Sequence, residues 1–108
     1  MVKKIDKEIR RSVEKYLAEV SKYYKLDAVY LFGSFAKGTQ KENSDIDIAI
    51  VSRDIKNRYL DMGSLYALKW DFDLRIEPHP FHINEFNKND TMMYNEIIRT
   101  GIPIKFAN

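Results

Sequence analysis

Two aspartates that stand two residues apart, Asp45 and Asp47, have a spacing suited to binding a metal ion. The apolar segment 46–51 predicts a β-strand, and residues i and i+2 of a strand point to the same face. Two carboxylates that close repel each other unless a cation lies between them, and oxygen ligands favour Mg²⁺ or Mn²⁺. On its own, such a pair also fits an arrangement without any metal or catalytic role, in which Asp45 caps or ends a loop and Asp47 lies on a solvated face.

A third carboxylate follows further along the chain. Residues 72–76 alternate apolar and polar side chains, which predicts another strand. Asp73, near its start, is the preferred third carboxylate, and Glu77, which has the same parity, is the alternative. Three carboxylates on adjacent strands form the protein side of a two-metal site. Arg75 shares their parity and either supports the carboxylates or makes a simple ion pair.

The two histidines of the chain, His79 and His82, invite a metal-binding interpretation. They flank Pro80, and Pro78 and Pro80 are expected to end the preceding strand. Two histidines in a turn, without a third nitrogen ligand, favour structural or surface roles.

The dipeptide Gly33-Ser34 follows another apolar segment, 28–32, which predicts a buried strand. Glycine after a strand lets the backbone approach a ligand closely. A helical turn beginning at Ser34 would present free N–H groups to phosphates. Gly-Ser alone carries little information, but Gly33-Ser34 followed by Ala36-Lys37-Gly38 and the segment 44–48 is a specific pattern.

Helices and strands must position these residues, and the periodicity of the sequence predicts them. Residues 4–24 form the first helix, with apolar residues at three- and four-residue steps. A helical turn and loop occupy 34–44, a polar loop 52–58, and helices 59–70 and 91–100. Gly101 is expected to cap the last helix, and 102–106 to form a short edge strand. The residues of helices 59–70 and 91–100 that are expected to face the core are Leu60, Leu65, Leu68, Trp70, Met93, Ile97 and Ile98.

Composition limits the class of protein. The chain has 108 residues, 44% of them hydrophobic and 13% aromatic, which predicts one globular domain over residues 1–108. No cysteine is present, and no apolar stretch suits a membrane span or signal peptide, so a cytoplasmic location is expected. A net charge of +2 makes nucleic acid an unexpected main partner, although residues 1–25 alone carry +4. Oligomer formation stays open.

The residues Gly33-Ser34-Phe-Ala-Lys-Gly38 and Ser44-Asp-Ile-Asp-Ile-Ala-Ile50 together resemble the signature of the DNA polymerase β-like nucleotidyltransferase superfamily. The chain is similar in size to its minimal nucleotidyltransferases. The resemblance implies an α+β fold, with a mixed sheet of three to four strands and about four helices. Lys37 departs from the pattern, since many relatives have arginine there.

The activity implied by this resemblance is transfer of a nucleoside monophosphate, AMP from ATP, to a hydroxyl group with release of pyrophosphate. Gly33 and Ser34 would hold the triphosphate, helped by Lys37 and Ser44. The metal ligands would be Asp45, Asp47 and Asp73, which would bind two Mg²⁺ or Mn²⁺ ions. Asp73 would also help to activate the acceptor hydroxyl.

Three functions remain open at this point. Small relatives of this kind are commonly the antitoxin of a pair with a HEPN-domain toxin, which implies nucleotidylation of a partner protein. A second possibility is an antitoxin that acts by binding alone, and a third is a transferase for a small molecule such as an aminoglycoside. Because no segment remains to hold an acceptor, we expect a partner to complete that site. Residues 3–25 and 52–58 are the expected docking surfaces.

Overall fold

The computed structural model describes residues 5–86 and 92–106, which form five helices and four strands. Residues 3, 4 and 91, which belong to segments predicted above, lie outside these ranges. The elements in chain order are α1 Lys7–Val20, β1 Ala28–Phe32, α2 Ser34–Lys37, β2 Ile46–Ser52, α3 Arg58–Lys69, β3 Ile76–His82, α4 Ile83–Phe86, α5 Met92–Thr100 and β4 Ile102–Pro103. No described helix has the length and apolar character needed to cross a membrane.

The four strands form one mixed sheet in the order β3-β2-β1-β4. β1 is antiparallel to β2 and β4, and β3 is parallel to β2. The register places Asp47 on β2 between Phe32 on β1 and Glu77 on β3. The parallel pair is connected through α3, as a parallel connection requires a crossover.

One face of the sheet is covered by α1 and α3. The apolar stripe predicted for the first helix is confirmed, since the residues that it buries are Ile9, Val13, Tyr16, Leu17 and Val20. Asp6 caps the helix, and its Oδ1 accepts from the N–H of Glu8 at 2.8 Å. The buried Tyr16 hydroxyl donates to the Leu65 carbonyl oxygen at 2.8 Å, which connects α1 to α3.

The opposite face is covered by α4 and α5 at its centre. Its core consists of Phe32, Ala49, Val51, Phe81, Phe86 and Ile97. Asp47 and Glu77 share this face with Ala49 and Phe81, because strand side chains alternate with period two. The carboxylates therefore lie beside the core that α4 and α5 cover, at the end of the sheet where β2 and β3 begin.

The third strand differs from the prediction. It spans Ile76–His82 instead of 72–76, so Pro78 and Pro80 lie inside it. The Ile46 N–H donates to the Arg75 carbonyl oxygen at 2.8 Å, which directs the peptide groups of the odd-numbered residues towards β2. The nitrogens of both prolines thus face the free edge, where no N–H is needed.

Several core assignments were also wrong. Leu60, Trp70 and Ile98 are 73%, 69% and 53% exposed, whereas Leu65 and Ile97 are buried as expected. The helix α4 was not predicted, and the last strand comprises only Ile102–Pro103.

Candidate functional site

The close approach between Gly33 and Asp47 forms the centre of the site. Gly33 follows β1 with φ 75° and ψ −153°, a conformation that is essentially restricted to glycine. A Cβ atom at Gly33 would lie 2.4 Å from Oδ2 of Asp47. Glycine at this position therefore permits the turn into α2 and leaves room for the Asp47 carboxylate.

Glu77 is the third carboxylate that the fold brings to this point. It lies directly opposite Asp47 in the parallel register, with Asp45 two residues before Asp47. Burial, a hydrogen bond shared with Asp45 and the negative charge of Asp47 raise the pKa of Glu77. Neighbouring carboxylates repel one another when all are ionised. A shared proton or a bound cation relieves that repulsion.

His79 lies on the same face of β3 as Glu77. Its Nε2 is 3.1 Å from Oδ1 of Asp47 and 3.9 Å from Oε1 of Glu77. The His79 residue is 9% exposed, and its ring packs edge-on against Phe32, with ring centroids 5.0 Å apart. The placement of His79 in a turn is wrong, because β3 continues through Pro78 and Pro80.

Asp73 is placed elsewhere. It lies in the turn before β3, where its carboxylate accepts from the Arg75 backbone N–H at 3.0 Å, from Nε at 3.1 Å and from Nη2 at 2.8 Å. The hydrogen bonds from Arg75, and a smaller one from Ser12 of α1, lower the pKa of Asp73. The preference for Asp73 over Glu77 followed from the misplaced strand, and the geometry supports Glu77 instead. Of the two roles considered for Arg75, the ion pair is observed.

Three other predicted site residues lie in the segment between β1 and β2. Ser34 opens α2, directly after Gly33. Lys37, at the end of α2, forms an ion pair with Glu96 of α5. Ser44 precedes β2, and its Oγ accepts from the Lys41 N–H at 2.7 Å, which closes the loop before Asp45.

Tyr66 of α3 was not identified from the sequence. Burial and the negative charges of Glu77, Asp45 and Asp47 raise the pKa of the Tyr66 hydroxyl. Lys69 Nζ lies 4.2 Å from the centroid of the Tyr66 ring and donates to the Ile76 carbonyl at 2.7 Å. No local motif marks either residue, since only the packing of α3 against β3 brings them here.

The residues present suit a divalent cation. Among the described residues, potential ligand atoms of Asp47, Glu77 and His79 all lie within 4.8 Å of one another. The Asp47 carboxylate occupies the space beside Gly33 where a side chain would otherwise lie. A cation bound there would relieve the repulsion between Glu77 and the two aspartates.

The comparison with known proteins agrees with this geometry. Residues 14–108 match the family described as "Polymerase beta, Nucleotidyltransferase". A candidate protein adenylyltransferase of Methanocaldococcus jannaschii is 35% identical over 72 residues, which cover 62% of this chain and 68% of that protein. The protein adenylyltransferase MntA of Shewanella oneidensis is 60% identical over 30 residues, which are 28% of this chain and 22% of MntA.

Solved structures show the same fold. A candidate nucleotidyltransferase of Sulfolobus solfataricus superposes with a TM-score of 0.64, at 21% identity, over 89% of this chain and 78% of that one. A complex of a tri-AMPylated Shewanella oneidensis HEPN toxin with its MNT antitoxin gives a TM-score of 0.52 at 19% identity, over 93% of this chain and 71% of that one.

The carboxylates of β2 and β3, the glycine turn after β1 and the family match over most of the chain agree with the resemblance of the sequence motif. The chain therefore belongs to the polymerase β nucleotidyltransferase family, and it is a nucleotidyltransferase.

Proposed function

We propose that this protein transfers AMP from ATP to a hydroxyl group of a HEPN-type partner protein and acts as the antitoxin of that pair. The observation that carries the proposal is the set of three carboxylates, Asp45, Asp47 and Glu77, next to the glycine turn at Gly33. Similarity to protein adenylyltransferases, and to a fold seen in complex with an AMPylated HEPN toxin, supports the choice of nucleotide and partner.

In the proposed reaction, the acceptor oxygen forms a bond to the α-phosphorus of ATP. The bond between that phosphorus and the oxygen bridging to the β-phosphate breaks, and its electron pair leaves with pyrophosphate. The hydroxyl proton passes to the carboxylate of Glu77. Glu77 lies directly opposite Asp47 in the parallel register, and a carboxylate within reach of the attacking hydroxyl can serve as its general base.

The remaining residues would bind and orient the nucleotide. Gly33 and the first N–H groups of α2 would contact the triphosphate, with the Ser34 hydroxyl as a further donor. Ser44 would hold the loop that carries Asp45, and Lys37 would exchange Glu96 for a phosphate oxygen.

Asp45, Asp47 and Glu77 would hold Mg²⁺ or Mn²⁺, with two ions expected. When bound, these ions neutralise the charge that develops on the leaving pyrophosphate and lower the pKa of the acceptor hydroxyl.

The test is incubation of the purified protein with α-labelled ATP, Mg²⁺ or Mn²⁺, and the product of the neighbouring gene. Label should appear on that partner with the wild-type protein and with Asp73→Asn, and disappear with Asp47→Asn. A partner that binds tightly but takes no label would indicate an antitoxin that acts by binding alone. Efficient labelling of a free small molecule without any partner would indicate the third function considered above.

A further inference from the structure

His79 has an orientation that the backbone imposes. In the parallel register it faces Ala49, whose small side chain leaves space above β2. The imidazole leans across this space towards Asp47, so that Nε2 lies between the carboxylates of Asp47 and Glu77. Phe32 supports the ring from the other side of β2. A nearly buried ring held on these sides has little freedom to turn away.

The distances from Nε2 to the two carboxylates match those between ligands of one ion. Donor atoms about 2.1 Å from a six-coordinate ion are about 3 Å apart when adjacent and about 4.2 Å apart when opposite. The Nε2 atom is 3.1 Å from Asp47 Oδ1, near the value for adjacent ligands, and 3.9 Å from Glu77 Oε1, nearer the value for opposite ligands. One ligand atom from each of the three residues lies within 4.8 Å of the other two, on the carboxylate face of the sheet.

We propose that Nε2 of His79 is a direct ligand of a divalent ion that Asp47 and Glu77 also bind, and that this nitrogen gives the centre a preference for Mn²⁺ over Mg²⁺. Both ions bind well to carboxylate oxygens, but Mn²⁺ is a transition-metal ion that accepts an imidazole nitrogen more readily than Mg²⁺, which is harder and gives up its water reluctantly. The inference concerns the same site as the proposed function, but it requires neither the partner nor ATP.

The experiment uses Mn²⁺ alone with the purified chain. Electron spin-echo modulation detects a nitrogen bonded to Mn²⁺, and titration gives the affinities for Mn²⁺ and Mg²⁺. The chain contains two histidines, so His82→Gln is a matched control: His82 lies on the opposite face of β3, where its Nδ1 accepts from the Asn84 N–H at 3.0 Å. We expect nitrogen modulation in the wild type and in His82→Gln, and none in His79→Gln.

The affinities should follow the same pattern. His79→Gln should weaken Mn²⁺ binding on the order of 10-fold or more, and Mg²⁺ binding by less than about threefold. Glutamine retains an N–H that can donate to Asp47, so the variant separates metal ligation from a purely positioning hydrogen bond.

Absence of nitrogen modulation in the Mn²⁺-loaded wild type would overturn the proposal, and this measurement needs no variant to fold. Unchanged Mn²⁺ affinity in His79→Gln would also overturn it and would assign His79 to positioning Asp47. Nitrogen ligation without any AMP transfer would leave this inference standing and contradict the proposed function alone. AMP transfer without nitrogen ligation would overturn this inference and leave the proposed function standing.

Discussion

At the scale of single residues, the contact between Gly33 and Asp47 is the most sensitive point of the site. Gly33→Ala would place a methyl group 2.4 Å from Oδ2 of Asp47 and force the carboxylate to move. Because the Asp47 carboxylate must be held precisely for metal binding, we expect AMP transfer to fall on the order of 10²-fold or more. Transfer to the partner, measured at saturating ATP, checks this prediction.

Gly38→Ala is the matched control for Gly33→Ala. Gly38 also has a positive φ, 77°, but a Cβ atom there meets nothing within 4 Å. It should therefore cost about 1–2 kcal/mol in stability and leave transfer nearly unchanged. Equal loss of activity in both variants would show that backbone strain, and not the displaced carboxylate, is responsible.

Glu77 and Asp73 can be separated by neutral substitutions of similar shape. Glu77→Gln should abolish turnover while Asp45 and Asp47 still hold the nucleotide. Asp73→Asn should retain most activity and lose about 1 kcal/mol of stability or less, because its ion pair with Arg75 is partly exposed. Single-turnover transfer and nucleotide binding are the measurements. Equal residual activity in the two variants would contradict the assignment of Glu77.

The raised pKa of Glu77 also predicts a change in stability. The folded protein binds the Glu77 proton more tightly than the unfolded chain, whose pKa is near 4.5. That contribution is complete below pH 4.5 and is lost as the pH rises through the folded pKa. Glu77→Gln should therefore be more stable than the wild type at pH 7 and have a higher melting temperature. Thermal unfolding from pH 4 to pH 8 should show this difference growing with pH.

The sequence predicted the parts of the site that depend on local signals. Gly33 approaches Asp47 closely, and Asp45 precedes Asp47 by two residues, just before β2. A glycine after one strand and an alternating pair on the next are short-range patterns that the sequence shows. The positions of Glu77 and His79 depend on which residues of β3 pair with β2. Nothing in the segment itself specifies that register, so the sequence favoured Asp73, whereas the structure places Glu77 opposite Asp47.

At the scale of elements, the error in β3 has one physical cause. Prolines usually end a strand, but they are tolerated on an edge strand when their nitrogens face away from the neighbour. Whether a strand lies at an edge is a property of the assembled sheet. By contrast, β1 and α1 were predicted well, since an uninterrupted apolar segment and a helical stripe are visible in the sequence.

The connection between α1 and α3 can be tested at Tyr16. Its fully buried hydroxyl donates to the carbonyl of Leu65, on the face of the sheet opposite the carboxylates. Tyr16→Phe should lower the free energy of unfolding by about 0.5–1.5 kcal/mol and leave metal binding unchanged. Chemical denaturation measures the first quantity. Tyr23→Phe is the control and should have no effect, since Tyr23 is 63% exposed.

At the scale of the whole molecule, metal binding should stabilise the fold. An ion that binds only the folded chain adds about 2.7 kcal/mol when its free concentration is 100 times Kd. We expect Mn²⁺ to raise the melting temperature of the wild type in proportion to the logarithm of its concentration. Asp47→Asn should show little of this increase, and a chelator should reverse it. An equal response in both proteins would place the stabilising ion outside the carboxylate cluster.

The prolines of β3 also limit how other chains can associate with the edges of the sheet. An exposed strand edge normally offers alternating N–H and C=O groups to which a foreign strand can add, and this is a route to aggregation. Pro78 and Pro80 remove two of the donors along one edge, and the strand at the other edge is two residues long and contains Pro103. Strand addition is therefore disfavoured on both sides. A protein that associates with this one must do so through side-chain surfaces, and the sheet itself is protected from stacking edge to edge with copies of its own kind.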